Sequence, residues 1–464
     1  MNWKQLLNKE RPRESTSEGD HRDQFERDYD RAIFSTPLKR LQDKAQVFPL
    51  EPIDSVRTRL THSLEVSSVA RGLAMKAAKW LHESDKDFEE GMDRQIEAIA
   101  ATCGLIHDLG NPPFGHSGEA AIQEWFHRKF SKDTTVCDSL IKRLKDQKRV
   151  NDFLLFEGNA QTLRLVSKLQ VLADYNGLNL TFGTLSAACK YTASSIEANE
   201  HSSDHAHSKP GYFSSEEGLI EQIREKTGIG KSRHPLTFLI EAADDIVYSV
   251  ADLEDGIKKG IMSWSEVQQI LEDKGGSLVP DLIKSKDRIL AAGRTNVPDG
   301  LPDDRHASAF RTAAIGRFVQ DCIEAFKENY SAIMAGCFKG ELIKESASKD
   351  VVKCLKKEIG SKRIYATASN LKLELMGREI MQDLMDLFWE GAQSIDDKGQ
   401  IEGRSFGAKL AKLFSDNYMN IYVHSRTSFP DVPADYHRLQ LVTDYVCGMT
   451  DTFAKKLHSE LKNG

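Results

Sequence analysis

The segment His107-Asp108-Leu109-Gly110-Asn111-Pro112-Pro113-Phe114-Gly115-His116-Ser117-Gly118-Glu119 constrains this chain most, because it sets two imidazoles and two carboxylates around a helix end and a rigid turn. Upstream, Ile96, Ile99, Cys103, Ile106 and His107 recur at helical spacing, which predicts that the His-Asp pair lies in the last turn of an apolar helix. Gly110 and Pro112-Pro113 stop that helix. Ser117 is the expected N-cap of the next one, with Ile122, Trp125, Phe126 and Phe130 as its buried stripe and Glu119 in its first turn, close to His116.

Two imidazoles and two carboxylates at a helix end need partners from elsewhere. His62, Val66, Val69 and Leu73 fall at i, i+4, i+7 and i+11, so His62 faces inward at the start of an amphipathic helix with Thr61 as cap. Pro235 fits the first turn of a helix through Ile257, buried along Leu239, Ile246, Val250 and Leu253. A second face lines up Asp244, Tyr248, Asp252 and Asp255, and the neighbouring Ala242, Ala243 and Ala251 indicate a closely packed, inward polar ridge.

The rest of the chain is patterned the same way. Only Val47–Leu50 and Arg363–Ala366 suggest a short strand, so the expected fold class is all-α, with at most a few short strands. Residues 1–30 are expected as a mobile charged N-terminal arm and 31–271 as the catalytic helical core. Residues 272–308, with Gly275-Gly276, Pro280, Pro298, Gly300 and Pro302, are expected as a loop-rich connection. Residues 309–464 form a helical C-terminal region that completes the substrate pocket and carries oligomer contacts.

At 464 residues and 40% hydrophobic content the chain can bury a large core. The net charge of -7 is mild, so any polyanionic ligand must be met by a local cationic cluster. Seven cysteines occur singly with no CxxC pair, which argues for a reducing compartment and for thiols that fill the core. Met1–Arg13 lacks an apolar core and no run of about 18 apolar residues occurs, so the expectation is a cytoplasmic protein with no membrane partner. His201, His205 and His207 lie in a stretch of loop composition, read as a solvated loop.

Adjacent helical residues point about 100° apart, so His107 and Asp108 must be met from two sides by other helices. His62 and an aspartate of the Asp244-Asp245 pair supply those sides. The result is a two-His, two-carboxylate site for one divalent ion, Mn²⁺ or Mg²⁺, with positions left for water and a substrate oxygen.

The ordered set His62, His107-Asp108 and a distant aspartate resembles the HD-domain phosphohydrolase superfamily. The wider wording resembles its deoxyguanosinetriphosphate triphosphohydrolase (dGTPase) family: Arg57 to Ser63, the segment 107–119, Phe156-Glu157-Gly158-Asn159-Ala160-Gln161, Lys190-Tyr191-Thr192, Lys209 to Phe213, Glu241 to Ile246, and Gly448-Met449-Thr450-Asp451. Only residues 270–430 lack a recognisable block. The resemblance implies an HD-type helical core whose metal ligands are His62, His107, Asp108 and Asp244, leaving Asp245 to support the site or pack the helix. It implies His116 as general acid to the leaving 5′-oxygen, or as partner of the attacking water, with Glu119 as second catalytic residue orienting it. Arg59 and Lys190 are the implied triphosphate cations, with Asn159 and Tyr191 as hydrogen-bonding neighbours. Gln46, Tyr248 and Asp252 are expected to read the deoxyribose.

The implied activity is metal-dependent hydrolysis of dGTP, or of dNTPs more widely, to deoxynucleoside and inorganic triphosphate. The alternatives are another HD-type phosphohydrolase (phosphodiesterase or 5′-nucleotidase) and a non-catalytic module sensing dNTPs or single-stranded DNA. The resemblance also implies a homo-oligomer, a hexamer included. Single-stranded DNA is a further candidate partner, for which Lys142-Arg143 and Lys353 with Lys356-Lys357 are the basic clusters.

Overall fold

The computed structural model describes residues 1–15, 20–131, 140–170 and 174–462. Among them there is no β-strand, only isolated bridges such as Ala45 with Thr58, and the fold is all-α. Of the two suggested strands, Arg363 and Ile364 belong instead to a helix of wide turns, Leu355–Ile364, and Val47–Leu50 is irregular.

Three helices bring the site together. The first, Arg59–Ser84, is capped by Thr58 rather than Thr61: Thr58 and Thr61 exchange backbone and hydroxyl hydrogen bonds, which puts Arg59 in the first turn. Its buried face, His62, Val66, Ala70 and Leu73, lies on the second helix, Met92–Ile106. Gly104 permits the close crossing, since a Cβ there would stand 2.6 Å from the Ser67 Cα. The third, Pro235–Lys258, packs on the first and on the long helix Asp303–Met334. Arg57 fastens it to the start of the first helix, donating to Glu254 at 2.6 Å and Asp255 at 2.6 Å, so Asp255 is committed to structure.

After Ile106 the chain turns through His107 and Asp108, and Phe114 takes a left-handed φ of 62°. The following helix, Gly115–Ser131, begins two residues before the expected cap, and Ser117 Oγ instead donates to the Glu374 carbonyl at 3.3 Å. Asp451 pins this turn: its carboxylate accepts the Phe114 and Ala45 amides, each at 2.9 Å. Lys44 donates to the Asn111 and Cys447 carbonyls at 2.6 and 2.7 Å. Gly110 lets the helix Gly158–Arg164 approach, because a Cβ would lie 2.2 Å from the Thr162 nitrogen.

Several expectations change. The N-terminal segment is no mobile arm among its described residues: Trp3 is fully buried, Arg11 pairs with buried Asp28 at 2.5 Å, and Gln24–Ile33 is a capped helix. Thr16–Gly19 lie outside the described residues. The 272–308 stretch holds the end of Trp264–Lys274 and all of Val279–Ala291, so only 292–302 is extended connection. One apolar core runs from Trp3 to Ala454 across it, because helices on both sides share the same buried face. Cys337 is exposed, unlike Cys103, Cys189, Cys322, Cys354 and Cys447, because it follows the helix end at Met334; Cys137 lies outside the described residues. No described helix is long and apolar enough to cross a membrane.

Candidate active site and metal centre

The helix crossing sets the His62 and His107 rings 5.4 Å apart, centre to centre. Asp244, half-buried on the third helix, places Oδ1 at 3.0 Å from His62 Nε2 and 3.7 Å from His107 Nε2. Asp108 Oδ1 lies 3.6 Å from His107 Nε2, and donor atoms of His62, His107 and Asp108 all lie within 4.8 Å of one another. His107 Nδ1 donates to the Gly104 carbonyl at 2.8 Å, so its lone pair is on Nε2, which is buried with no hydrogen-bond partner. An unpartnered imidazole nitrogen beside two carboxylates is a donor set that fits a divalent cation.

The carboxylates are held ionised by their neighbours. Burial pushes Asp108 up, but Arg59, with His107 and His62, overrides it and holds the group at about 2. Burial acts on Asp244 too, and the His62 hydrogen bond with His107 beside it brings it well below the carboxylate range. Asn111 Nδ2 donates to Asp108 Oδ1 at 2.7 Å, and the Arg59 guanidinium bonds the other oxygen.

These groups line a cavity of about 610 Å³. Gln46, Arg59, His107, Asp108, His116, Glu119, Asn159, Lys190, Tyr191, Asp244 and Tyr248 all face it. His62 and Asp252 lie behind the wall, 1% and 3% exposed. His116, in the first turn of its helix, opens to the cavity, and its surroundings together with the Arg59 charge keep its pKa below the ordinary imidazole value.

Glu119 is buried and accepts the Gly158 amide at 3.0 Å, with Lys209 at 3.9 Å. Among the described residues its hydrogen bond goes to Gly158 and none joins it to His116. Burial, with Glu157 adding, raises it to about 7. Glu157 caps the helix Gly158–Arg164 through the Asn159 amide at 2.5 Å, and also accepts from the Asn159 side chain at 3.0 Å and Lys209 at 3.0 Å. The three residues 157–159 thus organise both the carboxylate of Glu119 and the cation of Lys209. Lys190 stands 3.5 Å from Glu241, and this partner outweighs burial and raises its pKa.

At the other end, Tyr248 and Tyr365 have their hydroxyl oxygens 2.6 Å apart, and Tyr365 donates to Asp252. Burial raises Asp252 to about 8, against the opposing Tyr365 bond. Asp245 pairs with Lys356, and both line the cavity.

Glu157, Lys209, Lys356, Tyr365, Asn370 and Glu374 line the cavity without having been singled out from sequence. The first two stand inside the recognised blocks, so the wording itself carried their signal. The others come from 355–374, the region without a block. Lys356, counted as part of a surface basic cluster, turns inward because the wide turns of Leu355–Ile364 displace it toward Asp245. His205 is not in a solvated loop: it is half-buried with Nε2 2.9 Å from Glu241 Oε1. Glu341 is also near, but Arg233 at 2.7 Å and Lys190 already neutralise Glu241, so this cluster is an ion-pair network.

The HD domain model matches residues 59–167, which hold three of the four expected metal ligands. Over its full length the chain is 38% identical to a deoxyguanosinetriphosphate triphosphohydrolase-like protein of Listeria monocytogenes, covering 99% of each chain. It is 32% identical to the deoxyguanosinetriphosphate triphosphohydrolase of an Enterobacter species, over 98% of this chain and 96% of the other. It is 31% identical to that of Klebsiella pneumoniae, over 93% and 92%. Likeness over nearly the whole length means that the chain belongs to the deoxyguanosinetriphosphate triphosphohydrolase family and is built on an HD domain.

Proposed function

We propose that the protein hydrolyses dGTP, and other dNTPs to an extent set by the base end of its cavity, to deoxynucleoside and inorganic triphosphate. His62, His107, Asp108 and Asp244 hold one divalent ion, Mn²⁺ or Mg²⁺. When bound, that ion supplies Lewis-acid polarisation of the α-phosphate. Water adds to the α-phosphorus, the bond to the 5′-oxygen breaks, and His116 gives that oxygen its proton. Its open position suits it to pass on a proton, whose net source is the attacking water. Glu119 acts beside it through the Gly158 segment, as the second catalytic residue.

Lys190 and Arg59, with Asn159 and Tyr191, meet the triphosphate, and Lys209 adds a further cation. Gln46, Tyr248 and Asp252 meet the deoxyribose, where a tyrosine ring against C2′ excludes a 2′-hydroxyl. The observation that carries this reading is the unpartnered His107 Nε2, facing two carboxylates at the wall of a cavity that also holds Lys190 and Lys209.

The test is incubation with each dNTP, and with GTP, in Mn²⁺ or Mg²⁺, followed by product identification. Inorganic triphosphate from dGTP with little turnover of GTP is expected. Release of orthophosphate alone would move the protein to the 5′-nucleotidase reading, and equal turnover of GTP would remove the steric gate. We further propose a cytoplasmic homo-oligomer, a hexamer included, with single-stranded DNA as a second partner. Lys142-Arg143 and Lys353 with Lys356-Lys357 are the basic residues for it, of which Arg143 pairs with Asp435 and Lys356 with Asp245. Light scattering and a salt-dependent oligonucleotide shift test these two points.

A further inference from the structure

We propose that Asp451, at the start of the C-terminal helix, is a positioning residue for the proton transfer: by fixing the Phe114 amide it sets where His116 stands relative to Asp108. The inference rests on the dNTP reading above and adds to it a residue 337 positions along the chain from Phe114 that does not itself line the cavity. Asp451 is 1% exposed, and its two carboxylate oxygens are divided between two segments. Oδ1 accepts the Phe114 amide at 2.9 Å, and Oδ2 accepts the Ala45 amide at 2.9 Å. The first segment leads on to His116 and the second to Gln46, and both of those residues line the cavity.

The two segments differ in what else holds them. Ala45 is also bridged to Thr58, and the carbonyl of Lys44 accepts the Arg59 amide at 3.0 Å. Phe114 instead has a left-handed φ of 62°, which a residue with a Cβ seldom adopts unless its surroundings impose it. Two contacts impose it here. One is the amide bond to Asp451; the other is the ring, which lies on the helix Ala368–Gln393 at Gly377, where a Cβ would stand 2.6 Å from the Phe114 Cγ. The other end of the turn is fastened separately. The Gly110 amide donates to Thr162 Oγ1 at 2.9 Å, and Lys44 holds Asn111, whose side chain bonds Asp108. Asp108 therefore keeps its place when Asp451 is changed, and His116 is the group that moves. Asparagine is the discriminating substitution, because it has the size of aspartate but one of its two ends is an NH₂ donor that cannot accept an amide. One of the two bonds must then go, and the strained Phe114 turn gives way before the bridged Ala45 segment.

The experiment compares Asp451→Asn with His458→Ala. His458 lies on the same helix, Asp451–Lys462, and pairs with Asp383 at 2.7 Å, so its loss loosens the helix without touching the turn. The readouts are metal content, kcat and KM for dGTP, amide hydrogen exchange at Phe114 and Ala45, and the NMR resonance of the His116 ring at fixed pH. Asp451→Asn is expected to keep its metal and a KM within about threefold while kcat falls about 10²-fold, the scale of a catalytic group displaced by about 1 Å. Exchange at Phe114 should quicken more than at Ala45, and the His116 resonance should shift. His458→Ala should change none of these. A near-normal kcat in Asp451→Asn, a metal lost along with it, or an equal fall in His458→Ala overturns the proposal, because fastening of the helix alone would not tell the two variants apart. Should Asp451→Asn fail to fold, Asp451→Glu, which keeps two acceptor oxygens but moves them by one methylene, is put through the same comparison with the same expected split. If the wild type turns over no dNTP, the hydrolysis reading fails, and the His116 resonance, shifted in Asp451→Asn and unshifted in His458→Ala, still decides the role of Asp451.

Discussion

Asp244 and Asp252 stand two turns apart on one face of the same helix, yet the two ends of the cavity treat them in opposite ways. At the end lined by His107, the proposed metal end, two imidazoles override burial and bring Asp244 well below the ordinary range. At the other end, proposed for the sugar, burial prevails over one phenol bond and Asp252 rises to about 8. Spacing on a helix face thus puts both carboxylates on one ridge; what packs opposite each decides its charge.

The largest effect should come from breaking the metal end. Asp244→Asn is expected to lower turnover by about 10³-fold or more, the scale of several kcal/mol of Lewis-acid stabilisation, with bound metal lost by elemental analysis. Undiminished metal content would remove Asp244 from the ligand set. His116→Ala, between the two ends, should cost about 10² to 10⁴ in turnover while metal and dGTP still bind. Near-normal turnover would pass the proton to another group.

At the sugar end, Asp252→Asn should cost only about ten- to a hundredfold in kcat/KM for dGTP, because an amide keeps much of the hydrogen bonding of a carboxyl. A loss as deep as that of Asp244→Asn would erase the contrast. The same variant tests the raised carboxyl through stability. Asp252 binds its proton more tightly folded than unfolded, so its contribution is full below about pH 4 and is lost as pH rises through about 8. Denaturant unfolding at pH 5 and pH 9 should show a fall on the order of a few kcal/mol in the wild type and a flatter profile in Asp252→Asn. The smallest effect belongs to Arg378→Ala, which breaks an exposed pair with Glu124 and should change stability by less than about 1 kcal/mol and turnover not at all.

The metal end was legible because its chemistry is carried by residue types at fixed local positions. His62 at the start of one amphipathic helix, His107-Asp108 at the end of another and the Asp244 ridge on a third are each visible as periodicity. Helix starts were less legible: Thr58 rather than Thr61 caps the first helix, and the helix after the turn begins at Gly115, ahead of Ser117, since several hydroxyls and glycines compete within a few residues and backbone geometry chooses. The supporting groups were legible only as wording. Glu157 matters because Lys209 and Asn159 converge on it from 52 and 2 residues away, and no local pattern records the first of those.

By itself, the sequence determined an all-α fold, a two-His, two-carboxylate constellation and the family, because helical period, metal-ligand chemistry and ordered blocks are properties of residue type and spacing. Tertiary structure alone decided the rest. It turned Lys356 inward to Asp245, drew His205 from an apparent loop onto Glu241, gave Arg59 to Asp108, and set Tyr365 between Tyr248 and Asp252. Each of these depends on which long polar side chain loses its water to a partner distant in the chain, and that choice is made by packing, not by periodicity.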